Sequence, residues 1–199
     1  MLRSLSKATV LMLLASSMNT YARTEAGTYV GLDLTASMFG EANTDSSRGN
    51  DQSGDLGASS GSLSIGYRSE SNNRIQLSLA KLRLEHESGL ENDVSGIDLD
   101  WHIAYGDDAI QPYWGFGFGF YNMDDSSDYF INDNDLQGTS FQVMAGMKYD
   151  LNRRFELDLS YRIKSIIWQE MLVSNGTSID NVQLSHTLSS LNLGMAVKF

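Results

Sequence analysis

Large aromatics and glycines alternate in strict turn along "QPYWGFGFGFY" (111–121). Trp114, Phe116, Phe118 and Phe120 hold the even positions, with Gly115, Gly117 and Gly119 between them. Successive side chains of a strand point to opposite faces, so this stretch reads as a strand with one wholly apolar face and one nearly bare face. The same period of two recurs. "YVGLDLTASMF" (29–39) sets Val30, Leu32, Leu34, Ala36 and Met38 against Gly31, Asp33, Thr35 and Ser37. Alternation also runs through 63–68, 74–80, 96–105, 141–149, 155–164 and 190–199, giving eight segments in all.

Their connections alternate in length. Residues 69–73, 106–109 and 150–154 are short; 40–61, 85–95, 122–138 and 168–186 are long and polar. Short and long connections on alternate sides predict an antiparallel meander with every long loop at one end. The interior of an eight-stranded barrel is only wide enough for side chains. Trp101, Trp114, Phe116, Phe118, Phe120, Phe141, Phe155 and Tyr161 could not all enter it. Placing the aromatics toward lipid, and glycines and polar groups toward the lumen, removes the conflict. The expected fold is therefore all-β: an eight-stranded antiparallel up-and-down transmembrane β-barrel.

Tyr67, Tyr105, Trp114, Tyr149 and Phe155 fall with Phe199 at the short-turn end, as an interfacial aromatic girdle requires. Most segments run about 9–11 residues, enough for a tilted strand to cross a bilayer. One irregularity stands out. After Leu79 the phase slips, putting Leu82 and Leu84 on the face of Gln76 and Ser78. Either a bulge near Ala80–Lys81 or a strand continuing beyond the membrane accounts for it.

The first 22 residues differ from the rest. Arg3 and Lys7 precede the apolar run "ATVLMLLA" (8–15), and small residues end at Ala22, the pattern of a cleaved signal peptide over 1–22. The barrel domain is expected over 23–199. Cleavage removes two of the 14 basic residues and none of the 25 acidic ones, leaving a net charge of −13. That balance argues against nucleic acid as a partner. The absence of cysteine excludes disulfides, thiolate metal sites and cysteine nucleophiles.

"PYWGFGFGFY" (112–121), "FQVMAGMKYDLNRRFELDLSYR" (141–162) and the alternating end at Phe199 resemble the small eight-stranded outer-membrane β-barrels of Gram-negative bacteria, the OmpA-like and opacity-type group. The resemblance covers 23–199. It implies an outer-membrane location, short turns in the periplasm and long loops outside the cell. It also implies that Phe199 is the signal read by the barrel-assembly machinery. Members of that group are structural proteins, adhesins, weak pores and a few enzymes, so fold alone assigns no role.

Inward positions carry Asp33, Asp98, Asp100, Glu156 and Asp158 against Arg68, Lys148, Arg162, Lys164 and Lys198. Buried charges are tolerated when paired, so these are expected to form an interlocked network filling the bore, with His102 as a hydrogen-bonded filler beside it. A narrow, low-conductance porin for small solutes is the alternative. The loops are acidic: Asp124, Asp125, Asp128, Asp133 and Asp135 lie in 123–137, and Glu85, Glu87, Glu91 and Asp93 in 85–93. They read as solvated loops, or as contacts to lipopolysaccharide through divalent cations. They could also meet a surface ligand. Asp133, Asp135 and Gly138 match the start of a calcium loop, but Met144 stands where the bidentate glutamate belongs. No pattern implies a cofactor.

Some barrels of this group deacylate lipid A with a His and a Ser two apart on a strand. His86 and Ser88 have that spacing but fall in an expected loop; His186 and Ser189 are three apart and face opposite ways on a strand. The expected role is non-catalytic, structural or surface-contact, with lipid-modifying activity a remote alternative.

Overall fold

Connections of four or five residues at one end return each strand beside its predecessor, and alternation gives every strand a lipid face and a lumen face. The computed structural model describes residues 26–46, 52–86, 91–106, 109–123, 136–174 and 179–199. Its strands are β1 (Gly27–Ser46), β2 (Gln52–Arg68), β3 (Arg74–His86), β4 (Glu91–Ala104), β5 (Ile110–Met123), β6 (Leu136–Asp150), β7 (Phe155–Trp168), β8 (Met171–Ser174) and β9 (Ile179–Lys198). All neighbours are antiparallel, and β1 pairs with β9 to close an eight-stranded barrel; β8 is a short return strand beside the outer end of β9. Closure pairs the backbone groups that lipid could not satisfy.

The strands are longer than the sequence suggests. Much of 40–61, 85–95 and 168–186, expected as loop, is strand. Nor is there a bulge near Ala80: β3 keeps an unbroken register with β2 from Arg74 to His86 and with β4 from Arg74 to Glu85. The pleat continues while the surroundings invert. Outward side chains on β3 pass from Ile75, Leu77 and Leu79 to Lys81, Arg83 and Glu85; inward ones pass from Arg74, Gln76 and Ser78 to Leu82 and Leu84. On β4, Asp93 and Ser95 face outward above Ile97, Leu99 and Trp101. The lower section is inside-out, as lipid demands. The upper section is polar outside and apolar inside, as water demands. The apolar outer band is uneven: it runs from Ile110 to Phe120 along β5 but only from Ile75 to Leu79 along β3.

The irregularity that does exist lies in β1, whose register shifts between Leu34 and Phe39 against β2, and between Thr35 and Ser37 against β9. It reverses the phase. Met38, expected on the lipid face, packs on the inner apolar cluster instead, while Phe39 points out at 60% exposure.

Candidate functional site

The bore is where most of the buried titratable groups converge within the described residues, and its filling decides what the barrel can do. At the short-turn mouth Arg68 and Arg74 are direct cross-strand partners. Like charges so placed repel. Glu156 lies against both: Arg74 donates two hydrogen bonds to its carboxylate at 2.5 and 2.7 Å, and Arg68 stands 4.0 Å away. Lys198 is 3.9 Å from Glu156 and hydrogen-bonds Asp150, which Arg68 approaches at 3.8 Å. Sequence reasoning missed Arg74 and Asp150. Both adjoin short turns, where a strand's phase is hardest to carry inward.

One level up, Lys148 hydrogen-bonds Asp158, which also accepts from the Tyr113 hydroxyl at 3.0 Å. Farther out, Lys164 donates to Asp98 at 2.7 Å, and Tyr121 donates to the same carboxylate at 2.6 Å. Between these levels stand Arg162, Asp33 and Asp100. Among the described residues none of the three has an ion pair within 4.0 Å; Asp100 accepts instead from Gln142. The expected single interlocked network is therefore a stack of separate clusters. His102 is buried as expected, but neither ring nitrogen has a hydrogen-bond partner; it fills space against the Tyr113 ring at 4.8 Å.

Glycines make room for these groups. A Cβ on Gly119 would meet Ser140 Oγ at 2.7 Å and the Ile97 carbonyl at 2.8 Å, besides the Asp98 carboxylate. One on Gly117 would run into Asp100 and lie 3.0 Å from Gln142. The bare face in 111–121 thus accommodates carboxylates reaching inward from β4. Gly117→Ala should cost about 1–3 kcal/mol by overpacking. Gly54→Ala, whose Cβ would meet nothing within 4 Å, should be neutral or slightly stabilising. Guanidinium unfolding in vesicles compares the two.

Above the charges the bore is apolar. Leu56, Leu82, Leu84, Val94, Met123, Leu136, Ile166, Trp168, Met171 and Leu188 form one buried cluster. Trp168 Nε1 donates to His186 Nδ1 at 2.7 Å, satisfying the indole inside it. Ser189 lies on the opposite face from His186, so this pair forms no dyad. Two cavities lined by Arg162 and Asp33 interrupt the filling, each about 20 Å³, room for about one water.

On the outer wall Tyr67, Tyr105, Trp114 and Phe155 are exposed near the short-turn end, Tyr149 is half-buried, and Trp114 Nε1 donates to the Tyr105 hydroxyl at 2.8 Å. Phe199 is 79% exposed, its amide bonded to the Thr28 carbonyl. The upper wall exposes Glu41, Asp45, Asp55, Glu85, Glu91 and Asp93 against Lys81 and Arg83. A hydrogen bond from Arg83 to Asp93, 3.1 Å long, holds that guanidinium above its ordinary range. Among the described residues no three side chains could together hold a metal ion. Asp133, Asp135, Ser88 and the 1–22 segment lie outside the described residues.

A family model described as the outer membrane protein beta-barrel domain matches residues 8–199. No curated protein matches the sequence. Among solved structures, outer membrane protein AlkL in lipid bilayers superposes with a TM-score of 0.53 at 20% identity, covering 87% of this chain and 91% of that one. Neisserial surface protein A gives 0.49 at 20% identity over 88% and 100%, and OprG from Pseudomonas aeruginosa 0.49 at 13% over 88% and 97%. Identities this low speak for the fold alone. A fold alone assigns no role.

Proposed function

The chain belongs to the outer membrane protein β-barrel family and lies in a Gram-negative outer membrane, and on that premise we propose that it is a non-catalytic envelope protein, a closed barrel that presents an acidic wall outside the cell. The observation that carries this reading is the occupied bore. Charged clusters fill its membrane section, an apolar cluster fills its outer section, and the two cavities beside Arg162 have room for about one water each. That filling leaves hydrated solutes no continuous path among the described residues.

The test is planar-bilayer conductance of refolded 23–199. The wild type is silent. Arg162→Ala/Lys164→Ala is silent too, because Leu82, Leu84 and Leu188 close the bore above the vacated positions. Discrete conductance steps in the wild type would replace this reading with that of a narrow porin.

Six exposed carboxylates against two cations on the upper wall favour contact with lipopolysaccharide through loosely held divalent cations, since anionic phosphates and carboxylates otherwise repel. Phe199, at the exposed barrel rim, is the signal offered to the assembly machinery, and a surface ligand would approach through the outer loops. For the enzymatic alternative, lipid A from cells expressing wild type and Ser88→Ala has the same mass spectrum. An acyl loss seen only with wild type would contradict the non-catalytic role.

A further inference from the structure

Beneath the filled bore the periplasmic rim opens into a cavity of about 450 Å³, within the size range of small-ligand sites. Four cations line it: Arg68 and Lys198 from the barrel mouth, Arg153 and Arg154 from the turn between β6 and β7. Arg68 and Lys198 both approach Asp150 and Glu156, which do not themselves line the cavity. Arg153 and Arg154 are exposed, and neither side chain has an ion pair among the described residues. Among the described residues no aspartate or glutamate lines the cavity. Gly27 leaves room for Phe199 at the rim, for a Cβ there would meet the Phe199 carbonyl oxygen at 2.7 Å.

The cluster is local. The other two short turns carry Glu70, and Asp107 with Asp108, so the attraction is confined to the side where β7, β9 and β1 meet. The chain as a whole is strongly acidic, which makes a cation-lined cavity in it a departure from composition. Guanidinium groups match phosphate oxygens as two-pronged donors, so the two outer arginines above Arg68 and Lys198 suit a phosphate or pyrophosphate group.

We propose that this periplasmic rim cavity binds a phosphate group, with Arg153 and Arg154 as its outer clamp and Arg68 and Lys198 as its floor. The phosphate could belong to a phospholipid head of the inner leaflet or to a soluble phosphate ester, and experiment separates the two. Purified protein refolded in an uncharged maltoside detergent is titrated calorimetrically with inorganic pyrophosphate. One ion binds per barrel, and Arg153→Ser/Arg154→Ser weakens binding about tenfold or more. Arg83→Ser, on the opposite end, leaves it unchanged. The turn's contacts through Arg154 are backbone ones, to Asn152 and Lys198, so the variant retains them; heat-modifiable gel migration checks folding, and Arg153→Ser alone is the fallback.

Native mass spectrometry of protein released from membranes identifies the source. Phosphatidylglycerol retained by wild type, lost in the double variant and displaced by pyrophosphate assigns a lipid head. Pyrophosphate binding without retained lipid assigns a soluble ester. Non-saturable binding, or equal binding by wild type and double variant, would overturn the site.

Discussion

Glu156→Gln lowers the unfolding free energy of the barrel by about 3–5 kcal/mol, the cost of leaving buried charge without its partner. Arg68 and Arg74 oppose each other across β2 and β3, Lys198 closes from β9, and the Glu156 carboxylate lies within 4.0 Å of all three. Glutamine keeps the volume and loses the charge. Guanidinium unfolding in vesicles reads the loss. Glu156→Gln/Arg74→Met, which removes a cation as well, recovers most of it, because the cluster returns to the wild-type excess of one cation, with Arg68 and Lys198 around Asp150. A double variant as unstable as the single would mean that Glu156 acts through packing rather than charge.

Trp168→Ala is the second large effect, about 3–5 kcal/mol. Trp168 is 1% exposed, its ring lies over Gly138, and it gives His186 its indole hydrogen bond. Removal opens a void at the centre of the outer cluster and leaves His186 without that donor. The damage is confined to the outer section, so added protease cuts the variant from outside while the membrane section persists. Conductance stays absent, because the charged clusters below still fill the bore. Protection equal to wild type would show that the outer cluster is not a cooperative core.

Much of this architecture was legible in residue order. Trp114, Phe116, Phe118 and Phe120 announced an outward face because no eight-stranded interior could hold them, and the inward charges followed from phase alone. The inward tyrosines did not stand out. Tyr113 and Tyr121 bracket a run of outward aromatics, and the same residue type serves both faces because its hydroxyl can reach Asp158 or Asp98 across the lumen. The outer apolar cluster was harder still. In 52–60 only Leu56 and Ala58 are apolar, and small polar residues around them give no alternation to read. Leu82 and Leu84 carried the signal, as a slip of phase that marks a change of solvent rather than a fault in the strand. The β1 irregularity left no mark in composition; Met38 and Phe39 are both apolar, so either could face out.

The central claim is that the wall changes solvent between Leu79 and Lys81 on β3 while its pleat runs on unbroken. With no native cysteine, single reporters are clean. Spin labels at Leu77, Leu79, Lys81, Arg83 and Glu85 are read in bilayers for collision with oxygen, which concentrates in lipid, and with a water-soluble nickel chelate. The account predicts oxygen access at the first two sites and nickel access at the last three. Oxygen access persisting through Arg83 and Glu85 would place the apolar cluster inside the membrane and contradict the two-section barrel.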